Sequence, residues 1–528
     1  MNIPVNFLTW IMAFLPIIVL IVLMIKFHWG ATEAAPVGLL ITIFSGLLVY
    51  KADITTIAVE SAKGIWSALV ILLIIWTAIL MYQVGDEAKA FIVIKEGMSK
   101  LLPNELLLVL AMGWIFESFL QGITGFGVPV AVGAPLLIGI GVAPMYAIVI
   151  PLLGQAWGNT FGTLGAAWDS LAVSAGIQAG SPEYYRAAVW DFVTGIIICW
   201  LYGKGKAVKK GLPAVLVMTV IGGGGELVLS QVNTTLSNFV PAVICLVVLM
   251  LMGRMKMYRD AWRIEDSKIM VRTESTGETL DAPKDMTLVQ AFVPYVLLSL
   301  MTIIVLTVAP INAFLSKVQL SISVPETSTG YGFVNAASDA FSPIVPFTHA
   351  SMFLFLSAVI GLVYYKKHGW IQAGGTKAIF GRSITMTMPS GMAVIGLVIM
   401  SKIMSGTGQT VVLSQGIAGV LGNKYLILAP FIGLLGTFMT GSNMSSNILF
   451  GDFQMTTSSL LGVNAPAVLG AQTAGGAIGA AVSPSKIILG TTTAGCLGKE
   501  GEVLKIMLTF TIPATIAIGL FLFLVFGL

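Results

Sequence analysis

Runs of about twenty apolar residues, the length that crosses a hydrocarbon core, recur from one end of this 528-residue chain to the other. Only 10% of the residues are charged, against about 25% in a soluble domain, so too little polar material exists to cover a water-exposed globule. Mean hydropathy is +0.93. The chain reads as an all-α integral membrane protein built as one unit. Phe7–Ile25 is too long for a signal-peptide core and lacks a basic flank before it, and is read as a spanning helix.

Full spans are expected near 5–26, 35–50, 64–84, 144–170, 186–202, 212–228, 237–253, 288–310, 350–366, 383–403, 464–497 and 505–527. Two further stretches, about 104–143 and 425–463, are apolar but interrupted by Gly, Ser, Asn and Thr. That is the pattern of a re-entrant hairpin, whose irregular tip is tolerated at membrane depth only where it lines a cavity.

Basic residues cluster in three loops: Lys204–Lys210, Arg254–Lys284, and Lys366, Lys367, Lys377 and Arg382. The loop 311–349 carries only Lys317. The positive-inside rule then puts the basic loops in the cytoplasm and the N-terminus outside, provided that both hairpins return to the side they came from. The net charge of +4 follows from this topology and gives no sign of nucleic-acid binding. The expected location is the cell inner membrane.

The two interrupted regions resemble each other. Gln155-Ala-Trp-Gly158-Asn-Thr-Phe-Gly162 and Gln472-Thr-Ala-Gly475-Gly-Ala-Ile-Gly479 share the form Q-x-x-G-x-x-x-G, each following its hairpin after a Gly-Val-(x)-Ala-Pro step. The expected organisation is a first inverted repeat at 1–202, with a broken helix at about 144–170. A linking helix pair and cytoplasmic loop follow at 203–287. The second repeat, 288–528, has its broken helix at about 464–497. Inverted repeats suit transporters because exchange of conformation between the halves moves a midplane site from one side to the other. The expected fold is therefore of the elevator type, with about twelve transmembrane helices and two hairpins; a homodimer is inferred from that architecture alone.

A small carboxylate entering a low-dielectric site needs donors already in place. Half-helix N-termini offer free N–H groups and a positive dipole end. Candidate substrate-binding residues at the first tip and break are Gln121, Gly122, Thr124, Gly125, Gly127, Gln155, Asn159 and Thr160. At the second they are Thr440, Gly441, Ser442, Asn443, Ser445, Ser446, Asn447, Gln472, Ser483 and Ser485. The competing reading for the glycines is plain helix packing.

Ionisable residues at membrane depth are usually functional. Asp169 lies 14 residues after Gln155 and Lys486 lies 14 after Gln472, so the two occupy equivalent places and are expected to face each other, or else each reaches its own interface. With Glu117 they are the candidate ion-coupling residues. The three histidines and three cysteines are scattered. No metal-ligand spacing, phosphate loop or nucleophile elbow is present, so neither an enzyme nor a metal site is expected.

At the tips the sequence resembles the lactate permease family. The likeness rests on Phe119-Leu-Gln-Gly-Ile-Thr-Gly-Phe-Gly-Val-Pro129, on Leu435-Gly-Thr-Phe-Met-Thr-Gly-Ser-Asn-Met-Ser-Ser-Asn-Ile-Leu-Phe450, and on Gly475-Gly-Ala-Ile-Gly-Ala-Ala-Val-Ser-Pro484 running into Gly498-Lys-Glu500. More weakly it extends over most of the chain. It implies import of lactate or glycolate with protons. The chain departs from the family pattern in having Gln121 and Asn443 where acidic residues are usual, and in Asp169 and Lys486 themselves, which suggests a divergent member. The Ser/Asn-rich second tip also looks like that of sodium-coupled carboxylate transporters, whose hard cation suits hydroxyl and carbonyl oxygens. The coupling ion is thus a proton or sodium, with no other cofactor expected. A dicarboxylate cargo and an anion channel are the remaining rivals.

Overall fold

In the computed structural model, the described residues are all except 1, 2, 28, 126, 157, 178–192, 272–282, 284 and 528, with the side chain of residue 25 also left aside. The chain opens with α1 (Phe7–Ile25) and α2 (Ala31–Leu48), then the 34-residue α3 (Ile54–Glu87) and the short α4 (Ala90–Leu101). A first helical hairpin follows: α5 (Glu105–Leu110), one π-helical turn (Ala111–Ile115) and α6 (Phe116–Ile123) form one arm, α7 (Val128–Ile138) the other. An interrupted helix comes next, α8 (Pro144–Ala156) and α9 (Gly162–Ala175).

The middle of the chain holds α10 (Thr194–Ser230), α11 (Thr234–Ser237) and α12 (Phe239–Met252), then α13 (Leu288–Thr307) and α14 (Ala309–Leu315). Short strands β1 (Leu320–Val324), β2 (Thr327–Ser328), β3 (Val334–Asn335) and β4 (Ser338–Ile344) precede α15 (Ala350–Lys367). The 32-residue α16 (Gly375–Gly406) and the short α17 (Gln409–Leu421) lead into a second hairpin, α18 (Tyr425–Thr440) and α19 (Asn443–Leu461). A second interrupted helix, α20 (Ala465–Gly479) and α21 (Pro484–Thr493), and α22 (Glu500–Phe526) complete the chain. The order long helix, short helix, hairpin, interrupted helix thus occurs twice.

Twelve helical segments among the described residues are long and apolar enough to span a membrane. The most apolar windows of 105–123 and 465–493 are 94% and 89% buried inside the protein, against 28% for 288–307 and for 500–526. The interrupted elements therefore sit in the middle, where protein rather than lipid can satisfy their broken backbone. Around them α3 and α16 lie side by side, with α2 packed on α16 and α15 on α3. Their approach is close at Gly64, where a Cβ would stand 2.7 Å from Ile399 Cα.

The elements differ from the expected spans in four places. Spans 64–84 and 383–403 are the middles of the longer α3 and α16, because Asp53 caps α3 early and Glu60 and Lys63 are carried inside the helix as an ion pair of 2.6 Å. The helices α4 and α17, not anticipated, run from left-handed residues at Lys89 and Gly408. The spans expected at 186–202 and 212–228 form the single 37-residue α10, broken only at Gly203 and Lys204. Lysine is a good helix former, so the other basic residues of that expected loop are helical; residues 186–192 lie outside the described ones. Finally, the fold is not purely α: β1 pairs antiparallel with β4 and β2 with β3. This small β element lies against α3, where Trp66 donates its indole N–H to the Ser342 carbonyl at 3.0 Å.

Candidate functional site

Each hairpin turns without regular hydrogen bonding at its tip. In the first, Thr124 is extended and Gly127 is left-handed (φ 88°) ahead of α7, with Pro129 in the first turn. In the second, Gly441 (φ 74°) ends α18, and Ser442 caps α19 by accepting from the Ser445 N–H at 3.3 Å. The start of α9 is stranger: Thr163, Leu164 and Gly165 all have positive φ (51°, 53° and 86°). Two consecutive non-glycine residues there are strained, a condition that persists only where the surroundings enforce it and that gathers at functional sites.

These pieces meet. A small hollow is lined by Gln121, Gly125, Asn159, Gly162, Thr163, Ala166, Ala167, Gly441, Ser442, Asn443, Met444 and Lys486. Both tips and both breaks contribute to it. Lining residues stand at or just before the beginnings of four helices, α7, α9, α19 and α21, whose unpaired N–H groups carry positive partial charge. Lys486 adds a full positive charge; among the described residues no hydrogen bond or ion pair is made by its ammonium, and no carboxylate lies within 4.0 Å of it. Gln121 Nε2 donates to Asn159 Oδ1 at 3.3 Å, leaving Gln121 Oε1 and Asn159 Nδ2 buried without partners. Such orphaned groups at a hollow's wall are the ones a guest satisfies.

Behind the wall lies a hydrogen-bonded frame. Asn443 donates to Thr473 Oγ1 at 3.1 Å, Asn447 to the same oxygen at 3.0 Å, and Gln472 to Ser446 Oγ at 3.1 Å. Gln454 donates to Gln472 Oε1 at 2.8 Å and itself accepts from the Tyr425 hydroxyl. Ser446 donates to the Gly433 carbonyl at 2.9 Å. Thr473 and Thr160 hydroxyls are 3.5 Å apart.

Of the residues singled out from sequence, Gln121, Gly125, Asn159, Gly441, Ser442, Asn443 and Lys486 line the hollow. Gly127 is beside it, since a Cβ there would stand 4.0 Å from Lys486 Cγ. Ser483 and Ser485 share a hydrogen bond of 3.0 Å just under Gly441. Thr160, Ser446, Asn447 and Gln472 belong to the frame, while Ser445 serves the α19 cap. Thr124 and Thr440 bond to helical carbonyls, those of Leu120 and Gly436. Gly122 is a contact glycine against Phe239, and Gln155 is buried with both amide atoms unpartnered.

Packing also explains Gly475 and Gly479, where a Cβ would meet the Pro430 and Leu434 carbonyl oxygens at 1.9 and 2.5 Å. The residues that sequence reasoning missed are Thr163, Ala166, Ala167 and Met444. Small apolar side chains carry no chemical signal, and only the Gly162 and Gly165 pair around Thr-Leu hinted at the turn.

The expected meeting of Asp169 and Lys486 does not occur: no ion pair joins them, and Asp169 accepts from the Thr234 hydroxyl of α11 at 3.1 Å. The reason is geometric, because Asp169 follows the left-handed turn by one helical turn and faces the linking helices. Glu117 is fully buried between the hairpin arms against Gly133, both carboxyl oxygens lacking partners. Among the described residues no group of three His, Cys, Asp or Glu side chains could hold a metal ion.

The family model described as L-lactate permease matches residues 9–528. The L-lactate permease of Halalkalibacterium halodurans is 25% identical over 521 residues, spanning 94% of this chain and 93% of that one. Glycolate permease GlcA of Escherichia coli (strain K12) is 25% identical over 558 residues, spanning 97% and 95%. Among solved structures, the YdaH transporter of Alcanivorax borkumensis is similar with a TM-score of 0.45 and 13% identity, covering 86% of this chain and 83% of that one. The protein is therefore a multi-pass membrane permease, a transporter and not an enzyme. The chain belongs to the L-lactate permease family.

Proposed function

We propose that this chain is a secondary active transporter carrying a small monocarboxylate, L-lactate or glycolate, across the cell inner membrane in symport with protons. The carrying observation is the hollow on which four helix beginnings and Lys486, without an ion pair among the described residues, converge. A carboxylate bound there exchanges water for N–H groups and an ammonium already held in place. The unpartnered oxygen and amide of Gln121 and Asn159 suit a 2-hydroxyl group. The printed names of the relatives, L-lactate permease and glycolate permease, support the same cargo.

In this reading, 1–202 and 288–528 are inverted repeats joined by 203–287, and the hairpins and interrupted helices move as an elevator against α3 and α16. The twice-occurring order of elements supports it, as does the central burial of the interrupted pieces. The basic loops face the cytoplasm and the N-terminus lies outside. Glu117, whose carboxyl has no partner in the first hairpin, is the proposed proton carrier.

One observation favours a second reading, sodium coupling. Thr437 Oγ1, Asn443 Oδ1 and Asn447 Oδ1 are buried oxygens without hydrogen-bond partners, and a Cβ on Gly476 would stand within 2.0 Å of the second and 3.0 Å of the first. Hard cations take oxygen ligands of this kind.

Uptake of labelled L-lactate and glycolate by proteoliposomes, under imposed proton or sodium gradients, tests the proposal. Saturable, counterflow-competent uptake driven by protons is expected. Unitary conductance in place of saturable uptake, or accumulation driven only by sodium, overturns the carrier or the proton reading respectively.

A further inference from the structure

Four ionisable side chains gather where α3, α16 and α19 come together. Glu60 and Lys63 of α3 are 3% and 8% exposed and form an ion pair of 2.6 Å. Lys402 of α16 is faced by the carboxylates of Asp452 on α19 and of Glu60 on α3. Asp452 has Lys402 as its facing cation and the Thr410 and Ser405 hydroxyls against its carboxyl. Its Oδ2 is buried without a hydrogen-bond partner. Two ammonium groups thus balance two carboxylates, as burial at membrane depth requires.

The cluster is divided between the parts that the proposed motion separates. Glu60, Lys63 and Lys402 belong to the long helices and are tied together on that side. Glu60 packs on Gly406, where a Cβ would stand 2.9 Å from its Oε1. The Phe341 ring of β4 lies 5.7 Å from Lys63 Nζ and 5.9 Å from Lys402 Nζ. Asp452 belongs to the second hairpin, whose arm α19 is fastened to α9: Asn447 donates to the Ala167 carbonyl at 2.9 Å, and Ser174 to the Ile448 carbonyl at 2.6 Å.

Lys402 reaches across the division. Its ammonium donates to the Val173 carbonyl of α9 at 3.2 Å and faces Asp452 of α19. The facing pair is looser than the pair within α3: among the described residues no carboxylate comes within 4.0 Å of Lys402. Val173 is seven residues beyond Ala166 and Asp452 eight beyond Met444, which is about 10–12 Å of helix rise from the central hollow. Neither Lys402 nor Asp452 lines that hollow. Charges on two bodies that slide past each other must part, and parting leaves each uncompensated in a low-dielectric interior.

We infer that Lys402 and Asp452 are a positioning pair for the transport cycle. They hold α9 and the second hairpin against α16 in the present conformation and separate each time the hairpin moves, so they govern the translocation rate and not the affinity for cargo. The inference rests on the elevator motion proposed above.

Its test is a double-mutant cycle on L-lactate uptake by proteoliposomes of the full chain, with kcat taken per L-lactate-binding site of the purified protein. Removing one partner leaves the other charge buried alone, so Lys402→Gln and Asp452→Asn are each expected to lower kcat about tenfold with KM near the wild-type value. Lys402→Arg, which keeps the charge, should lose much less. The double variant removes both charges and should regain most of the lost kcat, the non-additivity of residues that act on each other. The pair is overturned if both single variants keep the wild-type kcat, if the double variant is no faster than the slower single one, or if the losses fall on KM alone. A single variant that binds no L-lactate beside a double variant that does would make the pair structural and overturn it likewise. Failure of the wild type to take up any monocarboxylate would instead overturn the function on which the inference depends.

Discussion

Asn447 of α19 donates its amide to the Ala167 carbonyl of α9 at 2.9 Å, across 280 positions of sequence, and to Thr473 Oγ1 of α20 at 3.0 Å. One side chain thereby joins the second hairpin to both interrupted helices at the wall of the central hollow. Replacing it by Ala removes both hydrogen bonds, each worth about 0.5–1.5 kcal/mol net, while Thr473 Oγ1 still accepts from Asn443. Asn447→Ala is expected to melt several degrees below wild type in detergent, read by intrinsic tryptophan fluorescence. An unchanged melting temperature would remove Asn447 from the frame.

Lys486 is the one lysine lining the central hollow among the described residues. Lys486→Ala is expected to lose or strongly weaken uptake while inserting normally in the membrane. Lys486→Arg should retain part of it, since charge persists but the point geometry of the ammonium does not. Full uptake by Lys486→Ala would take this residue out of the site.

Gly125 leaves the hollow open because a Cβ there would stand 2.9 Å from Thr163 Oγ1. Gly125→Ala should narrow the space and disfavour the cargo with the extra methyl group. Lactate uptake is expected to fall more than glycolate uptake, shifting the ratio of kcat/KM by about tenfold, the scale of one methyl group in a pocket. Equal losses for both would mean that the residue acts on folding rather than on fit.

As the proposed proton carrier, Glu117 offers a way to test coupling apart from binding. Glu117→Gln keeps the shape and removes the exchangeable proton, so proton-driven accumulation should vanish while lactate–lactate counterflow persists. Undiminished accumulation against a gradient by this variant would assign the proton elsewhere.

Asp53, outside the spans, caps α3 by accepting from the Thr56 backbone N–H at 2.7 Å, and hydrogen bonding with Thr56 holds its carboxyl below the ordinary carboxylate range. A depressed pKa means that its stabilisation is present at neutral pH and is lost as pH falls through the folded-state value. Asp53→Ala should therefore melt lower than wild type at pH 7, with the gap closing under acid conditions. Asp53→Asn should keep the cap and lose the pH dependence; a gap independent of pH would show that the charge plays no part.

Much of the architecture was legible because lipid imposes a coarse rule. Apolar runs had to be helices, and the polar interruptions at 121–127 and 440–447 had to be sheltered by protein, so the hairpins, the interrupted helices and the family could all be read from local pattern. Boundaries were less legible: Asp53 and the Glu60–Lys63 pair lengthen α3, and the basic stretch 204–210 continues a helix, because capping and ion pairing act over three or four residues and escape a hydropathy window. The β element over α3 carried no apolar period at all.

Sequence alone determined that two glycine-, serine- and amide-rich tips would exist, because backbone polar groups in lipid leave few alternatives. Only the tertiary structure decided that both tips and both breaks share one hollow, and that Asp169 turns to Thr234 while Lys486 makes no hydrogen bond or ion pair among the described residues. Those outcomes depend on three successive left-handed residues, 163–165, and on contacts between helices hundreds of residues apart. A spacing of 14 residues says how far along a helix a side chain lies, but a break in that helix resets the direction in which it points.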